Sequence, residues 1–142
     1  MTFIHRRRVE FRDTDAAGIV HFSVFFPMME EAEHAALRHV GLQVMRPEPC
    51  GGHLTWPRVS AKCDYLAAAR YDDLIEISVR VAKVGTTSVT YSFQFMRDAI
   101  LIATGEITTV CCLWSAGQPL SKRPIPDDIR QSLERLQPSP SS

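Results

Sequence analysis

From Phe22 onward, apolar side chains fall at Phe22, Phe25, Phe26, Met29, Ala32, Ala36, Leu37 and Val40. Steps of three and four give one broad apolar stripe, the pattern of an amphipathic helix lying on a flat apolar surface. Pro27 fits such a helix only within its first turn, so the regular part is predicted to begin near Ser23, and Gly41 is placed to end it. After a loop at "MRPEPCGG" the period changes to two, and "LTWPRVSAKCDYL", "LIEISVRVAKV", "TSVTYSFQFMRD" and "LIATGEITTVCCLW" read as strands. In the second of these, Ile75, Ile77, Val79 and Val81 share one face, and the single long helix is the only candidate to cover it. Residues Phe3 to Phe11 form a looser first strand, and Pro126–Asp127 opens a short helix with Ile129, Leu133 and Leu136 at helical spacing. Strand, long helix, then consecutive strands predicts an α+β domain, residues 1–136, with an antiparallel sheet curled around one helix. The tail 137–142, "QPSPSS", is expected to be disordered. A sheet with two edges and one covered face also predicts self-association.

Composition narrows the function classes. The chain has 142 residues, 45% of them apolar, with 16 basic and 16 acidic side chains. That balance argues against nucleic acid as partner; only Arg6-Arg7-Arg8 is locally basic, and its alternation suits an edge strand with solvated arginines. No window is apolar for the length of a membrane span or a secretory signal, so no membrane partner is expected. The four cysteines, Cys50, Cys63, Cys111 and Cys112, contain no CxxC pair. No metal site is predicted, and free thiols point to a cytoplasmic location.

The chemistry concentrates in "FRDTDAAGIVHF". In extended chain Asp13 and Asp15 would point the same way and could meet one ligand, although either could also serve as a turn-forming or capping aspartate. Gly18 permits close backbone approach, and the helix that follows opens with N–H groups lacking intrahelical acceptors. A carboxylate facing such donors suits acyl transfer at a polarised carbonyl. His21 stands beside those donors as a weak candidate for orienting substrate. Glu30, Glu31, Glu33, His34 and Arg38 read as a solvated helix face, since no His-Glu-x-x-His motif or its inverse is present. Gly-x-Ser-x-Gly and phosphate-loop motifs are absent too.

At this point "EFRDTDAAGIVHFSVFFPMMEEA" and the later "YLAAARYDDLIEISVRV" resemble the 4-hydroxybenzoyl-CoA thioesterase branch of the hot-dog-fold acyl-CoA thioesterases. The likeness runs from about Val9 to about Leu120. It implies a hot-dog fold, a long central helix wrapped by a five- or six-stranded antiparallel sheet. It also implies a homodimer with a continuous sheet, assembly to a homotetramer, and active sites at the dimer interface. By position, Asp15 corresponds to the catalytic carboxylate and the backbone amide of Phe22 to the donor that polarises the thioester carbonyl. Gly18, Ile19, Val20 and His21 would shape the turn, Asp13 would support it, and Glu30 matches a helix acid of open role. The chain departs from the family in reading His21-Phe22 where many members have Tyr-His, and Val24-Phe25 where Asn-Tyr is usual.

The resemblance implies hydrolysis of an acyl- or aroyl-CoA thioester to free acid and CoA, without a cofactor, since CoA is part of the substrate. Phe22, Phe25, Phe26 and Trp56 favour an aromatic or bulky acyl group, with 4-hydroxybenzoyl-CoA-like or 1,4-dihydroxy-2-naphthoyl-CoA-like substrates both open. Lys83, Arg97, Lys122 and Arg123 are candidate CoA contacts. The competing readings are a hydratase or dehydratase of the same fold, working through His21 and Asp15, and a non-catalytic acyl-CoA-binding module.

Overall fold

The computed structural model describes residues 2–138; Met1 and the last four residues of the expected tail lie outside the described residues. Strand β1 (Phe3–Arg8) leads through a 3-10 turn (Phe11–Asp13) and a second one (Phe22–Val24) into helix α1 (Phe25–His39). Eight strands follow α1 in the chain before the last helix. The first seven are β2 (Arg46–Pro47), β3 (His53–Thr55), β4 (Arg58–Tyr65), β5 (Leu74–Val84), β6 (Ser88–Arg97), β7 (Ile100–Val110) and β8 (Cys112–Trp114). A short β9 (Ser121–Lys122) and helix α2 (Asp127–Glu134) close the chain.

The main sheet is five-stranded and antiparallel, in the order β1-β5-β6-β7-β4. Its inner face carries the alternating set anticipated from the sequence, Ile75, Ile77, Val79 and Val81 on β5, joined by Tyr91, Phe93 and Phe95 on β6, all buried. Against it α1 lays Phe25, Met28, Met29, Ala32, Ala36 and Leu37. At Gly105 on β7 an added Cβ would run into the Met29 sulfur, so a larger residue there would force the Met29 side chain to shift. This is the hot-dog architecture expected from the sequence.

Several details differ from expectation. Pro57 splits the run 54–66 into β3 and β4, and the chain leaves the sheet at Cys111, separating β8 from β7. The detached pieces build a second, four-stranded sheet, β2-β3-β8-β9, that the pattern alone did not announce. The first strand ends at Arg8 rather than Phe11, because residues 11–13 turn back on themselves. Phe22, expected on the buried stripe, is 63% exposed, since residues 22–24 are a 3-10 turn and not yet α-helix. Pro27 then sits in the first turn of α1, where its missing N–H costs nothing. α2 seals the open end with Ile129, Leu133 and Leu136, whose carbonyl at 136 accepts from Val81 N–H at 3.0 Å.

Candidate active site

The "RDTDAAGIVH" segment folds back on itself. Asp15 N–H donates to the Ile19 carbonyl at 2.9 Å, Gly18 N–H to the Asp15 carbonyl at 2.9 Å, and Thr14 bridges to Val20. Gly18 has φ +80° with open space around it, so the glycine serves a left-handed turn rather than the close approach expected of it. Val20 N–H reaches the Ala69 carbonyl at 2.8 Å and Ile19 bridges to Arg70, which ties this turn to the bend after β4.

The two aspartates part company. Because Phe11–Asp13 is a 3-10 turn, the extended geometry that would aim both carboxylates at one ligand does not exist. Asp13 turns inward, is 4% exposed, pairs with the Arg7 guanidinium and accepts Glu10 N–H at 2.7 Å. Burial pushes its pKa up, but the Arg7 and Glu10 hydrogen bonds together outweigh that and leave it below the ordinary value. Arg7 is therefore not a solvated edge arginine; it holds Asp13 and, at 3.0 Å, Glu31. Asp15 turns the other way. Its Oδ1 accepts Ala17 N–H at 2.8 Å, which fixes the carboxylate in the wall of a cavity of about 470 Å³.

The same cavity is lined by Phe22, at the entry to α1. Phe22 is the first residue of the 3-10 turn there, and its N–H has no acceptor among the described hydrogen bonds, as expected of a helix-start donor. Its carbonyl accepts the Tyr65 hydroxyl at 2.8 Å, and the Tyr65 ring packs edge-on against Phe25 with centroids 5.2 Å apart. Asp15, Ile19, Val20, Phe22 and Phe25 thus meet around one cavity, with Tyr65 and the small-residue bend 66–69 forming the far wall. That wall was missed as a site, although "YLAAA" is its sequence signal: small residues leave room where an aromatic rim continues.

Three expected site residues lie elsewhere. Gly18 shapes the turn without lining the cavity. The His21 ring caps the 3-10 turn, accepting Ser23 N–H at 3.3 Å with Nδ1 2.7 Å from Ser23 Oγ, and takes no part in the cavity wall. Trp56 is half-buried against the core, away from the cavity of its own chain. Of the basic candidates, Arg97 is engaged with the Ala68 carbonyl and Asp73. Arg123 lines a second cavity of about 410 Å³ formed by Glu48, Cys50, Leu54, Leu113 and neighbouring prolines.

Glu33 overturns the reading of a solvated helix face: it is 2% exposed beneath Arg58, whose Nη2 also reaches Glu30 at 3.0 Å. Burial lifts its pKa to about 7 against the lowering pull of Arg58. Among the described residues no helix is long and apolar enough to cross a membrane.

A helix cradled by one curved antiparallel sheet, with Asp15 and the residue that opens the turn into that helix lining one cavity, defines a hot-dog protein suited to acyl chemistry. Comparison with known proteins agrees. The family model described as "Thioesterase superfamily" matches residues 17–103. A "putative esterase" of Aquifex aeolicus is 32% identical, the match covering 94% of this chain and 99% of that one. A 1,4-dihydroxy-2-naphthoyl-CoA hydrolase of Nostoc punctiforme is 29% identical, over 94% of this chain and 88% of the relative. Among solved structures, the 1,4-dihydroxy-2-naphthoyl-CoA thioesterase from Synechocystis superposes with a TM-score of 0.82 at 25% identity, covering 96% of this chain and 98% of that one. The chain belongs to the thioesterase superfamily. Thioester hydrolysis, the reaction expected from the sequence, is the activity class of that family.

Proposed function

We propose that the protein hydrolyses an aroyl-CoA thioester, with Asp15 as the catalytic carboxylate and the Phe22 N–H as the donor to the carbonyl. The observation that carries this reading is that both residues line one cavity of about 470 Å³, Asp15 from the turn and Phe22 from the 3-10 turn that leads into the central helix. Hydrolysis needs negative charge stabilised on the carbonyl oxygen as a nucleophile adds, and a helix-start N–H is pre-aligned for it. The leaving thiol has a reference pKa of ~8.5, so it departs without a strong general acid. The mostly apolar walls, with Phe22, Phe25 and Tyr65, favour a flat aromatic acyl group. The dihydroxynaphthoyl-CoA relatives support a hydroxylated ring of that kind. The hydratase reading draws no support, because the one nearby histidine is spent on capping.

Release of thiol from a panel of acyl- and aroyl-CoA thioesters tests the proposal. The wild type is expected to turn over aroyl esters best, and Asp15→Asn to lose activity by a factor of about 10² or more. Unchanged turnover in Asp15→Asn overturns the assignment. One turnover in isotopically labelled water tests for an anhydride at Asp15: label in its carboxylate marks an anhydride opened at the aspartyl carbon, whereas label in the product alone fits both general-base attack and an anhydride opened at the acyl carbon.

The same reading includes a homodimer built through β4. That strand is the open edge of the sheet beside the cavity, is exposed along most of its length, and carries Val59, 61% exposed, and Tyr65. Self-pairing centred on Cys63 would set Lys62 of each copy opposite Asp64 of the other, and would carry the Trp56–Arg58 end of one copy toward the Tyr65 end of the next. In that arrangement Trp56 regains a place near substrate. The homotetramer remains part of the proposal on the resemblance alone, and the unpaired cysteines support a reducing, cytoplasmic setting.

A further inference from the structure

Glu33 lies in the middle of α1, turned under the edge of the sheet. Its compensation is incomplete. Arg58 Nη2 is 3.0 Å from Oε1 but is aimed at Glu30 Oε2, so Oε1 lacks an aligned donor, and Nη1 reaches Oε2 only at 3.4 Å. Arg58 starts β4, so the three side chains clamp the central helix to the open edge strand. Beside them Phe26, Pro27, Ala61 and Ile107 complete a groove of about 230 Å³ that faces whatever seats on that edge.

We propose that Glu33 is a proton-binding site coupled to subunit association, and that the Glu33–Arg58–Glu30 cluster takes up one proton from solvent as a second copy covers the β4 edge. The inference rests on the β4 pairing proposed above. With Glu33 ionised, two carboxylates share one guanidinium and the cluster is net negative; with Glu33 protonated it is neutral. A second copy removes water from Arg58 and Glu30, and loss of hydration penalises the net-charged form more than the neutral one. The covered state therefore holds the proton more tightly, and by linkage the dimer tightens as pH falls.

The other groups that face Glu33 leave it as the responding site. From α1 Glu30 stands on the solvent side and His34 interacts with both Glu30 and Arg58, burial holding its imidazole below the ordinary value; from β4 comes Arg58. From β6 the Tyr91 hydroxyl approaches, buried and held neutral far above physiological pH. From β7 the groove receives an apolar residue, Ile107. Burial already lifts Glu33 to about 7, which places a further upward step within the range where association is measurable.

The test is the dimer dissociation constant, measured by sedimentation across about pH 6 to about pH 8 for the wild type and Glu33→Gln. A shift of about one unit in the proton affinity of Glu33 in each protomer, two sites per dimer, makes the wild-type dimer roughly 25-fold tighter at the acid end of that range. Glu33→Gln is expected to show no slope. A flat wild-type profile, or a slope retained in Glu33→Gln, overturns the coupling. Carboxyl carbon resonances of labelled glutamate in the wild type give a second readout that survives poor folding of the variant. The Glu33 titration should move up as the protein is concentrated into dimer, and a titration independent of concentration overturns the proposal. Hydrogen exchange at β4 separates the two layers of inference. A monomer, or a dimer whose β4 amides stay unprotected, sinks the pairing itself. A protected β4 without the pH slope sinks only the proton coupling.

Discussion

Two carboxylates are buried along the chain's path into and through α1, each beside an arginine, and their acidities move in opposite directions. Asp13, at the mouth of the helix, falls below its ordinary value; Glu33, in the middle, rises to about 7. Asp13 accepts a backbone N–H and two guanidinium hydrogens, and its arginine is further held by Glu31. Glu33 has no backbone donor within reach, because mid-helix N–H groups are spent on the helix, and it shares its arginine with a second acid. What matters is how many aligned donors meet the charge. An arginine nearby does not suffice.

The contrast can be broken most severely at the mouth. Asp13→Ala leaves Arg7 with Glu31 alone and the Glu10 N–H without its acceptor, and should cost about 3 kcal/mol in urea denaturation. Turnover should fall as well, since the same turn carries Asp15. A loss below about 1 kcal/mol would mean that the pair contributes little.

The next effect is on pH dependence and has opposite signs at the two sites. For Asp13 the folded value lies below the unfolded 3.8, so its stabilisation is present above that pH and fades as pH falls through the depressed value. For Glu33 the folded value, about 7, lies above the unfolded 4.5. Its protonated form is favoured by folding, so stability is greatest below the lower value and declines as pH rises through the upper one. Across that window the wild type should lose on the order of 3 kcal/mol relative to Glu33→Gln. Thermal or urea midpoints recorded across the window check this, and parallel profiles for the two proteins would refute it.

The smallest effect sharpens the geometry around Asp15. Gly18→Ala meets no steric neighbour and pays only for φ +80°, about 1–2 kcal/mol, with Asp15 displaced enough to depress kcat more than KM. Asn at the same position, which tolerates that backbone, should recover most of both losses.

The sequence pattern was a good guide wherever one local rule governed. The stripe from Phe25 to Val40 and the alternation in β5 correspond to buried faces because a helix and a strand each bury by their own period. Asp15 and Phe22 line one cavity, since a short turn and the helix that follows it are fixed by near neighbours. What escaped depends on distant partners. Arg58 lies 25 residues from Glu33, so nothing in "EEAEHAALR" distinguishes the inward acid from its solvated neighbours. Arg7 likewise reads as one of three like arginines until the chain reverses at 11–13 and brings Asp13 under it. The second sheet was hidden because its strands are two or three residues long, too short to display a period.

One bond at the cavity rim has a mechanical side. The Tyr65 hydroxyl laces the last residue of an edge strand to the Phe22 carbonyl, in the 3-10 turn that leads into the central helix, so widening the throat there means untying it. Entrance width thereby becomes a property of a single oxygen atom. Tyr65→Phe should admit thicker acyl groups while slowing the thin ones that profit from a taut collar, and the spread of esters turned over would gauge how tight that lacing is.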